Sequence, residues 1–235
     1  MSNTSLNNDN ALVVKNVSKI VSSPEGKLTI LSDINFIVTK GESVAIVGAS
    51  GAGKSTLLGL MAGLDSTTKG RIFLNGHDLT DMDEDGRASV RAKNVGFVFQ
   101  SFHLIPSLNA LENVMLPLEL IGKQSAKKIA KEILFGLGLK ARISHYPHQL
   151  SGGEKQRVAI ARAFASEPTV LFADEPTGNL DTKTGENIMK TMFRLNQEST
   201  TTLILVTHDK QLASMCKREI ILDAGLLIKD NKIEK

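Results

Sequence analysis

Residues 48–55 read Gly48-Ala49-Ser50-Gly51-Ala52-Gly53-Lys54-Ser55, set between the apolar run Ser43-Val44-Ala45-Ile46-Val47 and a second apolar stretch that starts at Thr56-Leu57-Leu58. A buried strand that turns through glycines directly into a buried helix restricts the chain to folds built on a βα unit. The turn also carries chemistry. Backbone N–H groups wrap a polyphosphate only where side chains stay clear, and glycine at 48, 51 and 53 leaves that room. In the pattern G-x-x-x-x-G-K-[ST], Lys54 is placed to reach terminal phosphates and Ser55 to ligate Mg²⁺. The loop implies a nucleoside triphosphate with Mg²⁺ and leaves open what the energy is for.

The chain has 235 residues, enough for one domain with a continuous core and a smaller subdomain. A formal net charge of +3 is too small to imply nucleic acid, and Lys127, Lys128 and Lys131 read as a solvated helix face. The single cysteine, Cys216, has no internal disulfide partner and fits a reducing compartment. Residues 1–10 are polar, lack the basic-then-apolar order of a signal peptide, and are expected to form a disordered lead-in. The best apolar candidate for a membrane span, Leu111 to Ile121, is broken by Glu112, Asn113, Pro117 and Glu119. Any membrane part is therefore expected from another chain.

From Leu12 to Val38, short apolar pieces broken at Ser22-Ser23-Pro24-Glu25-Gly26 predict strands joined by a turn. Lys69 to Gly76 predicts a further strand and turn. Asp81-Met82-Asp83-Glu84-Asp85-Gly86 resembles the start of a calcium loop, but position twelve would be Ala92 where a bidentate glutamate is needed, so a solvated acidic turn is expected. Val95 to Phe99 is strand-like. Ile129, Ile133, Leu134 and Leu137 behind a capping Ser125 then give helical spacing, so a helical subdomain is expected over 100–165. Thr169 to Ala173 and Leu203 to Val206 are continuous apolar runs, as in parallel strands buried on both faces, with Ile188, Met192 and Leu195 marking a crossover helix. The fold class is α/β, a parallel sheet with helices, and its strand ends are the expected place for chemistry.

Two further constellations meet that expectation. Val170-Leu171-Phe172-Ala173-Asp174-Glu175-Pro176 ends an apolar strand in two acids: Asp174 suits Mg²⁺ held through water, and Glu175 suits a general base for the water that attacks a γ-phosphate. In Leu150-Ser151-Gly152-Gly153-Glu154-Lys155-Gln156-Arg157, Ser151 and Glu154 form a capping box whose two glycines expose N–H groups at a positive helix end. Two separate helix-end anion sites in one small chain serve one nucleotide only if each completes the other's pocket, which argues for a head-to-tail pair of subunits.

These elements, together with Gln100, Gly178-Asn179-Leu180-Asp181 and Val206-Thr207-His208-Asp209, occur in an order and spacing that resembles the ATP-binding subunits of ABC transporters over roughly residues 12–230. The resemblance implies an ABC nucleotide-binding domain over 11–235. A P-loop NTPase core of RecA type with an antiparallel β subdomain takes 11–99 and 166–235, and the inserted helical subdomain takes 100–165. It implies a homodimer closing on two ATP molecules, each between Gly48, Ser50, Gly51, Ala52, Gly53, Lys54, Ser55 and Thr56 of one subunit and Ser151, Gly152, Gly153 and Glu154 of the other. On the same resemblance Gln100 senses Mg²⁺ and the γ-phosphate, Asp181 links the two sites, and His208 contacts the γ-phosphate. Lys54, Glu175 and His208 are then the catalytic set, and Ser55, Gln100 and Asp174 the Mg²⁺ set. Asn94 to Phe102, Leu104-Ile105-Pro106, Ala110 to Val114 and Ala173 to Asp181 resemble the subgroup serving MacB, lipoprotein-releasing (LolD) and cell-division (FtsE) systems. That subgroup implies a permease of the MacB/FtsX kind, a possible periplasmic accessory protein, and a place on the cytoplasmic face of a bacterial inner membrane.

One departure is visible. The family usually stacks an aromatic ring on adenine from the loop after the first strand; that position falls near Val21, and no aromatic lies between Met1 and Phe36. Base selectivity is therefore expected to be weak. Two other readings use the same residues: a soluble ABC ATPase, and an ATP-dependent dimer switch that scaffolds a partner without transport.

Overall fold

The computed structural model describes residues 9–24 and 26–233. The first eight residues of the expected lead-in lie outside the described residues. The chain divides into two compact units, one running up to Arg91 and resuming at Thr202, the other spanning Ala92–Thr201.

In the first unit, strands β1 (Asn10–Ser23) and β2 (Gly26–Thr39) form one long antiparallel hairpin, paired from Leu12↔Val38 to Ser22↔Lys27. The short apolar pieces of the sequence are thus segments of two 14-residue strands. What interrupts the pattern is a set of register shifts between Val14 and Ile20, which change the buried face mid-strand. Asn16 and Asp33 adopt left-handed backbone there (φ 50° and 51°), and Asn16 Nδ2 donates to Asp33 Oδ1 at 2.9 Å. Strands β4 (Lys69–Leu74) and β5 (His77–Asp78) extend the sheet in the order β2-β1-β4-β5.

A second, parallel layer in this unit centres on β3 (Ser43–Val47), flanked by β8 (Thr202–Val206) and β9 (Arg218–Asp223), with β10 (Leu226–Lys232) returning antiparallel to β9. All of β8 and four residues of β3 are buried, the pattern expected of strands covered on both faces. Helix α1 (Lys54–Met61) follows β3 and buries Leu57, Leu58, Leu60 and Met61.

The expected acidic turn at 81–86 is in part the start of helix α2 (Glu84–Asn94). Only Val90 of α2 is buried, so the helix leaves no apolar stripe to read. Glu84 of α2 bridges Arg87 and Arg91, and Asp81, ahead of the helix, pairs with Arg71.

In the second unit, β6 (Val95–Phe99) and β7 (Val170–Asp174) pair in parallel register, Val95↔Val170 to Phe99↔Asp174. Between them lie α3 (Ala110–Leu120), α4 (Ala126–Gly136) and α5 (Gly152–Ala165), and α6 (Thr182–Ser199) follows β7. Buried on α4 are Ala126, Ala130 and Leu134, while Ile129 and Ile133 are only half-buried, so the core stripe is rotated from the one the branched residues suggested. Ser125 precedes α4 without a side-chain cap. Ile188 and Met192 of α6 are buried as expected and Leu195 sits on the flank. Asn113, fully buried, ties down the segment before α3: its side chain accepts from Ile105 N–H at 2.8 Å and donates to the carbonyls of Ile105, Leu108 and Asn109.

Candidate functional site

The residues singled out fall in both units. Gly48 to Thr56 and His208 belong to the first; Gln100, Ser151 to Glu154, Asp174, Glu175 and Asp181 belong to the second.

In the phosphate loop, a β-carbon at Gly48 would lie 2.2 Å from the Leu222 carbonyl oxygen, so no larger residue fits where the chain leaves β3. Gly53 has φ 96° and is the N-cap of α1; it offers no side-chain cap, and the first turn of α1 carries no acid. The positive end of α1 therefore carries neither a side-chain cap nor a carboxylate of its own, which suits an external anion. Lys54 folds back over the loop, donating through Nζ to the carbonyls of Gly48 at 2.8 Å and Ala49 at 2.9 Å. A cradle of N–H donors, an ammonium and the Ser55 hydroxyl, closed to any β-carbon at its base, fits a polyphosphate carrying Mg²⁺. His208 is exposed just beyond β8, next to the buried Thr207.

In the second unit, Asp174 is the last residue of β7 and Glu175 the first beyond it, in left-handed backbone with φ 46°. Such a conformation costs a non-glycine residue about 1–3 kcal/mol and persists where neighbours enforce it. Two bonds do so here. The Gly178 N–H donates to the Glu175 carbonyl at 3.0 Å, and Gln156 Nε2 donates to the Pro176 carbonyl at 2.6 Å from a fully buried position on α5.

The expected capping box on α5 is present. Ser151 Oγ accepts from Glu154 N–H at 3.3 Å, and Glu154 Oε2 accepts from Ser151 N–H at 2.8 Å. The Ser151 amide, aided by Arg142 Nε at 2.8 Å, holds the Glu154 carboxyl below its ordinary value. Asp181 caps α6, accepting from Thr184 N–H at 3.0 Å, and its bonds to Thr184 likewise lower its pKa. The two caps are packed together: a β-carbon at Gly153 would lie 2.7 Å from Thr184 Cγ2, and one at Gly152 would lie 3.2 Å from Leu180 Cδ2.

Three residues were missed in the sequence reading. Gln156 was passed over as part of a motif, although a polar residue four positions before the buried Ile160 on an apolar helix face is a legible signal. His103 carried no signal; its ring stacks on Phe99 at 4.5 Å, and its carbonyl accepts from Arg162. Asn179 bonds to Gln100, a pairing no local pattern reveals.

The ABC transporter family model matches residues 31–178 of the chain. The chain belongs to the ABC transporter family. This ABC subunit is 55% identical over 221 residues to the uncharacterized ABC transporter ATP-binding protein YbbA of Escherichia coli (strain K12), covering 93% of this chain and 97% of that protein. It is 48% identical over 224 residues to the lipoprotein-releasing system ATP-binding protein LolD of Idiomarina loihiensis, covering 94% and 98%. A solved dimer of MJ0796, described as a bacterial ABC transporter cassette, superposes with TM-score 0.88 at 41% identity, covering 95% of this chain and 99% of that one. A post-hydrolysis dimer of the same cassette bound to ADP and Pi gives TM-score 0.88 at 40% identity. The fold is thus an ABC nucleotide-binding domain of the LolD and YbbA group, and the subunit is an ATP-hydrolysing enzyme of transporter type. Among the described residues, no helix is long and apolar enough to cross a membrane.

Proposed function

We propose that this ABC subunit drives a MacB/FtsX-type permease, working as a head-to-tail homodimer on the cytoplasmic face of a bacterial inner membrane, with a periplasmic accessory protein as a further partner. The observation that carries the proposal is a second glycine-bearing helix N-terminus besides the Gly53-capped α1: that of α5, where the capping box takes the Ser151 and Glu154 amides and Gly152 and Gly153, packed on Leu180 and Thr184, form the helix end between them. One chain closing on one nucleotide has no use for both.

In this account the amides of Gly48, Ser50, Gly51, Ala52, Gly53 and Thr56 and the Lys54 ammonium bind the phosphates. The first turn of α5, Ser151 to Glu154, serves the nucleotide held by the other subunit. Ser55, Gln100 and Asp174 would hold Mg²⁺, which would supply charge neutralisation for the phosphates. Glu175 takes the proton of the attacking water, its backbone fixed by the turn at 175–178. His208 orients the γ-phosphate, and Asp181 links the two sites through its place at the start of α6. The YbbA and LolD relatives support a transporter ATP-binding subunit of that group.

Affinity isolation of the Glu175→Gln protein with ATP from gently solubilised membranes, followed by mass spectrometry, tests the partner. Co-isolation of a multi-spanning permease with a large periplasmic region supports the proposal. Recovery of the homodimer alone, or with ribosomes or DNA, favours a soluble ABC ATPase or a dimer switch.

A further inference from the structure

Gln100 and Asn179 exchange hydrogen bonds within the second unit. Asn179 Nδ2 donates to the Gln100 backbone carbonyl at 3.0 Å, and Gln100 Nε2 donates to Asn179 Oδ1 at 3.3 Å. The first bond settles the orientation of the second. With its amide nitrogen committed to a carbonyl, Asn179 presents only an acceptor to Gln100, so the Gln100 amide must turn its N–H₂ toward Asn179 and its oxygen away. An amide oxygen facing outward is the end that ligates a hard cation.

Space enforces the same arrangement. A β-carbon at Gly178 would lie 2.6 Å from Gln100 Nε2 and 2.9 Å from Cδ. Gly178 is not among the glycines with positive φ, so alanine suits its backbone and conflicts only with the glutamine side chain, which would have to move off Asn179 to admit it. Leu180, two residues after Gly178, packs under Gly152 at the first turn of α5, and Asp181 caps α6. A continuous run of contacts therefore joins Gln100 to the helix end that carries Ser151.

We propose that Asn179 is a positioning residue: it fixes the amide of Gln100 with the oxygen presented to the cation, and ties that state to the Leu180 contact beneath Gly152. The inference rests on the reading of Gln100 as an Mg²⁺ ligand. When the Gln100 amide shifts toward or away from the cation, Asn179 and the 178–181 segment shift with it, and the first turn of α5 follows.

The test is a double-mutant cycle. The Mg²⁺ concentration for half-maximal ATP hydrolysis is titrated for Asn179→Ala, Gly178→Ala, Gln100→Ala and the two doubles, and urea unfolding is measured on each protein without nucleotide. Either single change at 178 or 179 is expected to raise the Mg²⁺ requirement about 3- to 10-fold, the worth of one hydrogen bond, with KM for ATP at saturating Mg²⁺ within about twofold. Neither change is expected to raise it further once Gln100 is alanine. In unfolding, Gly178→Ala lowers the midpoint, and Gln100→Ala removes that penalty because the crowded side chain is gone. Independent, multiplicative effects on Mg²⁺, or an unchanged requirement in Asn179→Ala beside a raised one in Gln100→Ala, would overturn the positioning role alone. A Gln100→Ala protein with the wild-type Mg²⁺ requirement would overturn the ligand reading and this inference with it.

Discussion

Arg162, on the third turn of α5, donates through Nη2 to the backbone carbonyl of Phe102 at 2.9 Å, and through Nη1 to the carbonyl of His103. Phe102 and His103 are consecutive non-glycine residues in left-handed backbone, with φ 62° and 48°, immediately after the Gln100 turn. Burial lowers the guanidinium pKa, which still leaves it a cation, and a cation over two carbonyls offsets the strain of that double turn.

Replacing Arg162 by alanine is therefore expected to lower unfolding free energy by about 2–3 kcal/mol, the worth of hydrogen bonds to a charged donor. Arg162→Lys, with one compact ammonium in place of a fork, should recover only part of it. Urea unfolding of the three proteins checks this; an alanine variant as stable as wild type would mean that the 102–103 turn holds itself.

The capping box predicts a pH dependence. Glu154 has its pKa lowered from an ordinary 4.5 by the Ser151 amide and by Arg142, so its contribution is fully present above the unfolded value and is lost as pH falls through the folded one. The difference in unfolding free energy between wild type and Glu154→Gln should be constant from pH 7 to about 5.5 and shrink toward zero as pH drops below about 4.5. A difference that stays constant into acid would show that the charge on Glu154 contributes nothing to the cap.

Much of this architecture was legible because its signals are local. The βα unit at the phosphate loop, the strand ending in Asp174-Glu175 and the Ser151–Glu154 cap are each written in fewer than ten consecutive residues. Helix α2 was not legible, because ion pairs rather than an apolar stripe hold its surface. The face of α4 was misjudged because two alanines, cheap to bury and allowing close approach, displace the branched Ile129 and Ile133 from the core. The Gln100–Asn179 pair and the Arg162 clamp join residues 79 and 60 positions apart, and depend on a fold that no local pattern encodes.

Val21 gives a prediction about the base. It is an exposed residue of β1 paired with the exposed Leu28, so an aliphatic side chain stands near the place where the family stacks a ring. Forgoing a ring-on-ring contact costs about 0.5–1.5 kcal/mol for either purine, and an aliphatic side chain offers no hydrogen bond that reads the exocyclic groups. GTP should therefore compete with ATP within tenfold in affinity, and Val21→Tyr should tighten the binding of both nucleotides. Competition titration with a fluorescent nucleotide decides it; a GTP affinity tenfold or more below that for ATP in the wild type contradicts the prediction.

Each nucleotide is proposed to lie between the 48–56 loop of one subunit and the α5 N-terminus of the other. Light scattering of the Glu175→Gln protein, in which the water is no longer activated while both phosphate sites persist, with and without a Ser151→Arg change, examines that arrangement. Glu175→Gln alone is expected to form an ATP- and Mg²⁺-dependent dimer. With Ser151→Arg blocking the α5 turn, a monomer that still binds ATP is expected. A dimer that forms with ATP despite Ser151→Arg would contradict the head-to-tail arrangement.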